Sequence, residues 1–201
     1  MQKELYQRFF PDNFTLETNR VLLRLLREDD FELLEPLTHD ADIWKFFSVD
    51  LSTADELKKW IRTALQSRAE CVRMPFLIID KHDGSVCGST SYGNISFYDK
   101  RLEIGWSWLG TNFMSTGVNR NAKFVLLSHA FEAMKMERVE VKTDVLNDRA
   151  KAALLKIGMY EEGVLRSHMQ MHSNRRRDSV YYSIIREEWP AVKARFFPEL
   201  A

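Results

Sequence analysis

Leu102-Glu-Ile-Gly-Trp-Ser-Trp-Leu109, Met114-Ser-Thr-Gly-Val-Asn-Arg-Asn-Ala122 and Arg138-Val-Glu-Val-Lys-Thr-Asp-Val145 are the segments on which the reading of the whole chain turns. The first carries large aromatics two residues apart and the third alternates apolar with charged residues, so both read as strands. The middle segment passes from turn residues straight into a helical period in which Ala122, Val125, Leu126, Ala130, Phe131 and Met134 share one face. A turn that opens a helix leaves the first N–H groups without intrahelical acceptors, and the helix dipole adds partial positive charge at the same place. The unit is therefore strand, turn, helix, strand, and the turn suits a phosphate.

Working outward, residues 20–26 form a strand candidate, and the acidic residues that follow suit the start of a helix over 31–37. Ile43, Trp44, Phe46 and Phe47 within 41–47 belong either to a short helix packed inward or to the lining of an acceptor pocket. Thr53 followed by Glu56 fits a capping box, opening a helix to about residue 69 with Leu57, Trp60, Ile61 and Leu65 on its apolar face. Strands over 74–80 and 86–97 are joined by the Asp83-Gly84 turn, with Gly88 and Gly93 as bulge positions, and the next strand completes an antiparallel meander. Downstream, a short helix starts at the cap Asn147 or Asp148 and stops at Gly158; strands over 159–168 and 178–185 follow, with a polar loop around Ser173 and Asn174 between them. Residues 1–17, with Pro11-Asp-Asn, read as a peripheral arm or lead-in to a single domain over 18–201.

Composition narrows the function. At 201 residues and 45% hydrophobic content the chain buries a sizeable core. Lys plus Arg and Asp plus Glu balance at 29 each, so no global field draws a nucleic acid or an anionic membrane, and any anion site is local. Arg175, Arg176 and Arg177 read as solvated loop charges, and His129 as a packed helix residue. Cys71 and Cys87 lack a metal-ligand spacing, no metal is expected, and no secretory leader or membrane-spanning run is read. A soluble protein of a reducing cytoplasm, monomer or homodimer, is the expectation.

The order of elements, together with Thr18-Asn-Arg20, Glu103-Ile-Gly105, Gly117, Ala130-Phe-Glu132, Arg138-Val139, Asn147, Lys156-Ile-Gly158, Glu162-Gly-Val-Leu-Arg166, Arg177-Asp178 and Glu188-Trp189, resembles the GNAT superfamily of N-acetyltransferases. Within it the chain is most similar to the RimJ/RimL-type branch of ribosomal-protein N-terminal acetyltransferases, from about residue 18 to 189. The resemblance implies an α/β (α+β) fold whose mixed, mostly antiparallel sheet splays open between the Glu103 and Arg138 strands, with helices on both faces. It implies acetyl-CoA as co-substrate and a primary amine as acceptor, with a protein N-terminus or a small molecule both open.

For the chemistry, the resemblance assigns general-base work to Glu103. The oxyanion falls to a backbone N–H near Trp108 or Leu109. The pyrophosphate goes to the turn of Ser115, Thr116, Gly117, Val118, Asn119 and Arg120, and the pantetheine arm to Asn147. Five positions depart from it: Met114 and Asn119 replace polar and small turn residues, Asn121 replaces a glutamate, and Ala150 and Leu154 stand where serine and tyrosine would be general acids. Tyr160 is the fallback acid. A thiol of pKa about 8.5 leaves tolerably near neutrality without one. The alternative is an acyl-CoA-binding module of the same fold with little or no activity.

Overall fold

The computed structural model describes residues 2–200. In chain order it contains α1 (Gln2–Phe9), β1 (Thr15–Glu17), β2 (Val21–Leu25), α2 (Phe31–Leu34), α3 (Ala54–Ala69), β3 (Arg73–Asp80), β4 (Val86–Ser96), β5 (Arg101–Leu109), α4 (Val118–Ser128), β6 (Arg138–Asp144), α5 (Asp148–Leu155), β7 (Tyr160–Gln170), β8 (Arg176–Ile185) and α6 (Trp189–Phe196). The strands make one eight-stranded sheet in the order β1-β2-β3-β4-β5-β6-β8-β7, and among the described residues only the β5–β6 pairing is parallel. This is the mixed, mostly antiparallel α/β sheet expected.

Strand alternation sends side chains to two cores. Val21, Leu23, Phe76, Ile78, Leu102, Ile104, Val139 and Val141 meet α4, while Leu77 and Trp108 on the opposite face meet Trp44, Leu57, Trp60 and Ile61 around α3. The capping residue Thr53 accepts from the Glu56 N–H at 3.4 Å, which starts α3 where the sequence places it. Residues 41–43 form only a 3-10 turn, and Ile43 and Trp44 from it are core.

The lead-in is not peripheral. Tyr6 and Phe10 are buried and meet edge to face, Phe10 packs against Tyr92, and the Tyr6 hydroxyl donates to the Arg73 carbonyl at 2.6 Å. The arginine run is likewise not loop charge: β8 begins at Arg176, Arg177 is buried, Arg175 pairs with buried Asp144, and Arg176 bonds Ser167. Past Ser128 the central helix continues as a π turn over His129–Ala133. His129 is packed between Phe10, Phe14 and Tyr92, and burial pushes its pKa down to about 4.

Candidate active site

The site is a fork in the sheet. β5 and β6 share only Arg101↔Arg138, Leu102↔Val139 and Glu103↔Glu140. Beyond Glu103 they separate because β5 bulges: between Gly105 and Trp108 it has two residues against the single Thr90 of β4, and Trp106 sits at φ 51. Such a bulge bends and twists a strand away from its neighbour. Gly93 makes it feasible, since a Cβ there would lie 2.2 Å from the Trp106 ring. The Gly110 N–H donates to Cys87 of β4 at 2.9 Å, so by alternation the N–H groups of Leu109 and Ser107 turn into the fork. Of the two oxyanion candidates this favours Leu109. Trp108 turns its backbone toward β4 and packs its indole against Trp44 and Trp60.

At the base of the fork lies Glu103, 3% exposed. Lys142 of β6 reaches both its oxygens at 2.7 and 2.5 Å, and the Asn94 amide donates to Oε2 at 2.7 Å. Oε1 therefore keeps a lone pair free of Asn94 and can still accept from water or an amine. The same face carries further cations. Arg73 is sandwiched between Trp60 and Trp106, 5.0 and 4.6 Å from their rings, with its Nη2 lacking a partner; burial pushes its pKa down to about 9. Arg177, also lowered by burial, has an unpartnered Nε and approaches the Phe46 carbonyl. His172 lies 3.2 Å from the Trp44 carbonyl, so the 44–47 segment and the β7–β8 hairpin together roof this mouth.

At the wide end of the fork, Ser115 (φ 63) and Gly117 (φ 92) use left-handed backbone to turn the chain into α4, whose N-terminus has no side-chain cap. A Cβ on Gly117 would meet nothing within 4 Å, which leaves a cradle in front of the first helical N–H groups. The flanking side chains are engaged elsewhere. Val118 is core, Thr116 donates to the Phe113 carbonyl, and Arg120 bonds Glu199 and the Phe196 carbonyl and lies over Phe197. The turn therefore offers backbone, which suits a pyrophosphate despite Met114 and Asn119. Asn121 braces it by donating to the Gly117 carbonyl and accepting from Thr18.

Asn147 caps α5, its Oδ1 accepting from the Ala150 N–H at 3.0 Å. Leu154 is 5% exposed and serves the core. Tyr160 is not brought to Glu103: it is 68% exposed on edge strand β7, three strand spacings away, roughly 14 Å. Lys142, Asn94, Arg73, Ser107 and Lys123 are not singled out in the sequence, and Arg177 stands there only as a motif residue and a solvated charge. Only Lys123, a lysine inside the apolar run 122–127, carried a visible signal.

A splayed sheet with a carboxylate at the fork and an uncapped helix turn beside it defines an acyl-CoA-dependent acetyltransferase, and the chain belongs to the GNAT family: the acetyltransferase (GNAT) domain matches residues 20–160. It is 30% identical over 90% of its length to the whole of a Bacillus subtilis (strain 168) protein named "Putative ribosomal N-acetyltransferase YdaF". Among the solved structures that share the fold are these two. One is a GCN5-related N-acetyltransferase from Brucella melitensis, at TM-score 0.86 and 24% identity over 95% of this chain and 87% of that one. The other is Mycobacterium smegmatis RimJ in complex with CoA-disulfide, at 0.76 and 23% over 90% and 91%. The protein is an acetyl-CoA-dependent N-acetyltransferase. No helix among the described residues is long and apolar enough to cross a membrane.

Proposed function

We propose that the acceptor is a weakly basic primary amine, foremost the α-amine of a protein or peptide N-terminus, acetylated in a reducing cytoplasm. The observation that carries this reading is the excess of cations around Glu103. Lys142, Arg73 and Arg177 face the mouth, and only Lys142 among them is ion-paired, with Glu103 itself. An ammonium entering there is repelled and the neutral amine favoured. An α-amine gives up its proton at pH 7 for roughly 3.5 kcal/mol less than a lysine side chain does. A site with one carboxylate to take that proton is matched to the easier nucleophile.

Glu103 receives the proton directly or through a water on Oε1, while Lys142 and Asn94 hold the carboxylate in place. The Leu109 N–H, turned into the fork, steadies negative charge on the carbonyl oxygen. Acetyl-CoA supplies the acetyl group already activated as a thioester. Its pyrophosphate would lie on the backbone of Ser115 to Arg120 and its arm beside Asn147. Arg149 of α5, which reaches across to the Met114 sulfur, adds a cation at that end. Buried Cys71 and Cys87, both free, suit a reducing compartment.

The test is a panel of peptides beginning with Ser, Ala or Met, with free and with blocked N-termini and with internal lysines, read by mass spectrometry of the acetylated position. Free N-termini should be modified and blocked ones not. Efficient modification of lysines or polyamines while every free N-terminus is ignored would overturn the acceptor assignment and leave the acetyltransferase class intact.

A further inference from the structure

The positions where a general acid would stand are Ala150 and Leu154, yet a proton donor for the sulfur is present on the same face of the sheet. Lys123 projects from α4 into the sheet and is 5% exposed. Its Nζ donates to Ser107 Oγ at 2.8 Å, and that hydroxyl is 2.7 Å from Thr90 Oγ1. No ion pair of Lys123 occurs among the described residues. Ser107 is also the β5 residue whose N–H turns into the fork, one alternation below Leu109, so the residue that holds the amine borders the space an acyl thioester must occupy.

We infer that Lys123 is the proton donor to the leaving sulfur, with Ser107 as its positioning residue. As the carbon–sulfur bond breaks, the electron pair goes to sulfur and a proton passes to it from the Lys123 ammonium, giving a thiol and a neutral lysine. The acceptor amine gives its proton to Glu103, and between turnovers Glu103 releases a proton to water and Lys123 regains one from water, so each turnover moves one net proton from nitrogen to sulfur and consumes no other reactant. The surroundings suit a group that must lose and regain a proton. Burial pushes the Lys123 pKa down to about 7, while the charge of Glu103 opposes that shift. Among the other groups on neighbouring elements, Lys142 of β6 is bonded to Glu103. Tyr92 of β4 spends its hydroxyl on the Leu126 carbonyl and is raised by burial, so it is neutral. His129, further along α4, is neutral at pH 7. The inference does not depend on which amine is the acceptor.

Two measurements test it together. In the protein without ligands, NMR of lysine labelled with carbon-13 at Cε should show one resonance titrating near neutrality, absent in Lys123→Met and Lys123→Gln. In steady-state kinetics with acetyl-CoA and the best acceptor, kcat of both variants should fall by about 10- to 100-fold, at or below the roughly 10²-fold lower limit usual for acid–base help because a thiolate leaves readily. The alkaline limb of the wild-type kcat profile should disappear with it. Ser107→Ala should keep that limb but move its midpoint together with the NMR titration. Wild-type kcat and an unchanged alkaline limb in Lys123→Gln, or no lysine titrating below about pH 9 in the wild type, would overturn the inference; the NMR arm decides even if a variant fails to fold.

Discussion

Replacing Lys123 by methionine should make the protein more stable at pH 7. The ammonium is enclosed in the core, and burial lowers its pKa from the ordinary 10.5 to about 7. At 1.36 kcal/mol per unit, that difference penalises the charged form by roughly 5 kcal/mol relative to the unfolded chain. Methionine has similar length and no charge; what it loses is the bond to Ser107, whose hydroxyl still has Thr90. Buried ions replaced by apolar groups of similar volume typically gain about 1–4 kcal/mol. A net gain of roughly 2 kcal/mol would raise the Tm by roughly 4–8 °C for a chain of this size. The sign with pH follows from linkage. Between pH 7 and 10.5 the unfolded chain holds the lysine proton and the folded one does not, so wild-type stability rises with pH across that window. The advantage of Lys123→Met should therefore be full below pH 7 and vanish as pH approaches 10.5. Urea unfolding at pH 6.5, 8 and 9.5 reads this directly. A mutant equal to or less stable than wild type at pH 6.5, or a difference that ignores pH, would refute the reasoning.

Glu103→Gln should lower kcat by roughly 10²-fold at neutral pH, with less effect at alkaline pH where the amine is already neutral; identical profiles across that range would remove Glu103 from proton transfer. Gly117→Val puts a β-branched side chain into the cradle at φ 92 and should weaken acetyl-CoA about tenfold or more, ~1.4 kcal/mol. Calorimetry showing unaltered affinity in a folded mutant would displace the pyrophosphate from that turn. Asn147→Ala removes the α5 cap and should cost about 1 kcal/mol in thermal or urea unfolding. His129, lowered to about 4 by burial, supports stability that is full above pH 6.5 and lost as pH falls through 4; in His129→Phe, packed among Phe10, Phe14 and Tyr92, that acid slope should flatten.

The elements with a strong period or a chemical stop were legible in the sequence. The Thr53 cap, the apolar stripe of α4 and the left-handed Gly158 after α5 all sit where their residue types demand. α1 and α6 were not, because their fit depends on partners far along the chain: Tyr6 on Arg73, Trp189 on Glu132 and Phe131. The site divided along the same line. Glu103 and the Gly117 turn are local patterns, whereas Lys142 is indistinguishable from any outward strand lysine until β6 is placed beside β5. The arginines 175–177 read as surface charge because nothing near them in sequence announces Asp144. Lys123 is the instructive middle case: a charge inside an apolar helical run was visible, and only the sheet says what it faces.

Past the Glu103–Glu140 pair, β5 and β6 remain consecutive in the sheet without bonding to each other, so each presents an unladdered edge in the middle of the sheet. Edges of this kind recruit extended chains by main-chain hydrogen bonding. A ligand whose arm carries amides, as that of CoA does, can enter as a short non-peptide strand and restore the ladder. The amides of β5 should then behave as a comb in hydrogen exchange. Those of Trp108 and Gly110, turned toward β4, stay slow throughout. Those of Ser107 and Leu109, turned outward, exchange fast in the free protein and become slow when CoA is added, so that alternate residues of one strand report whether the sheet has been completed.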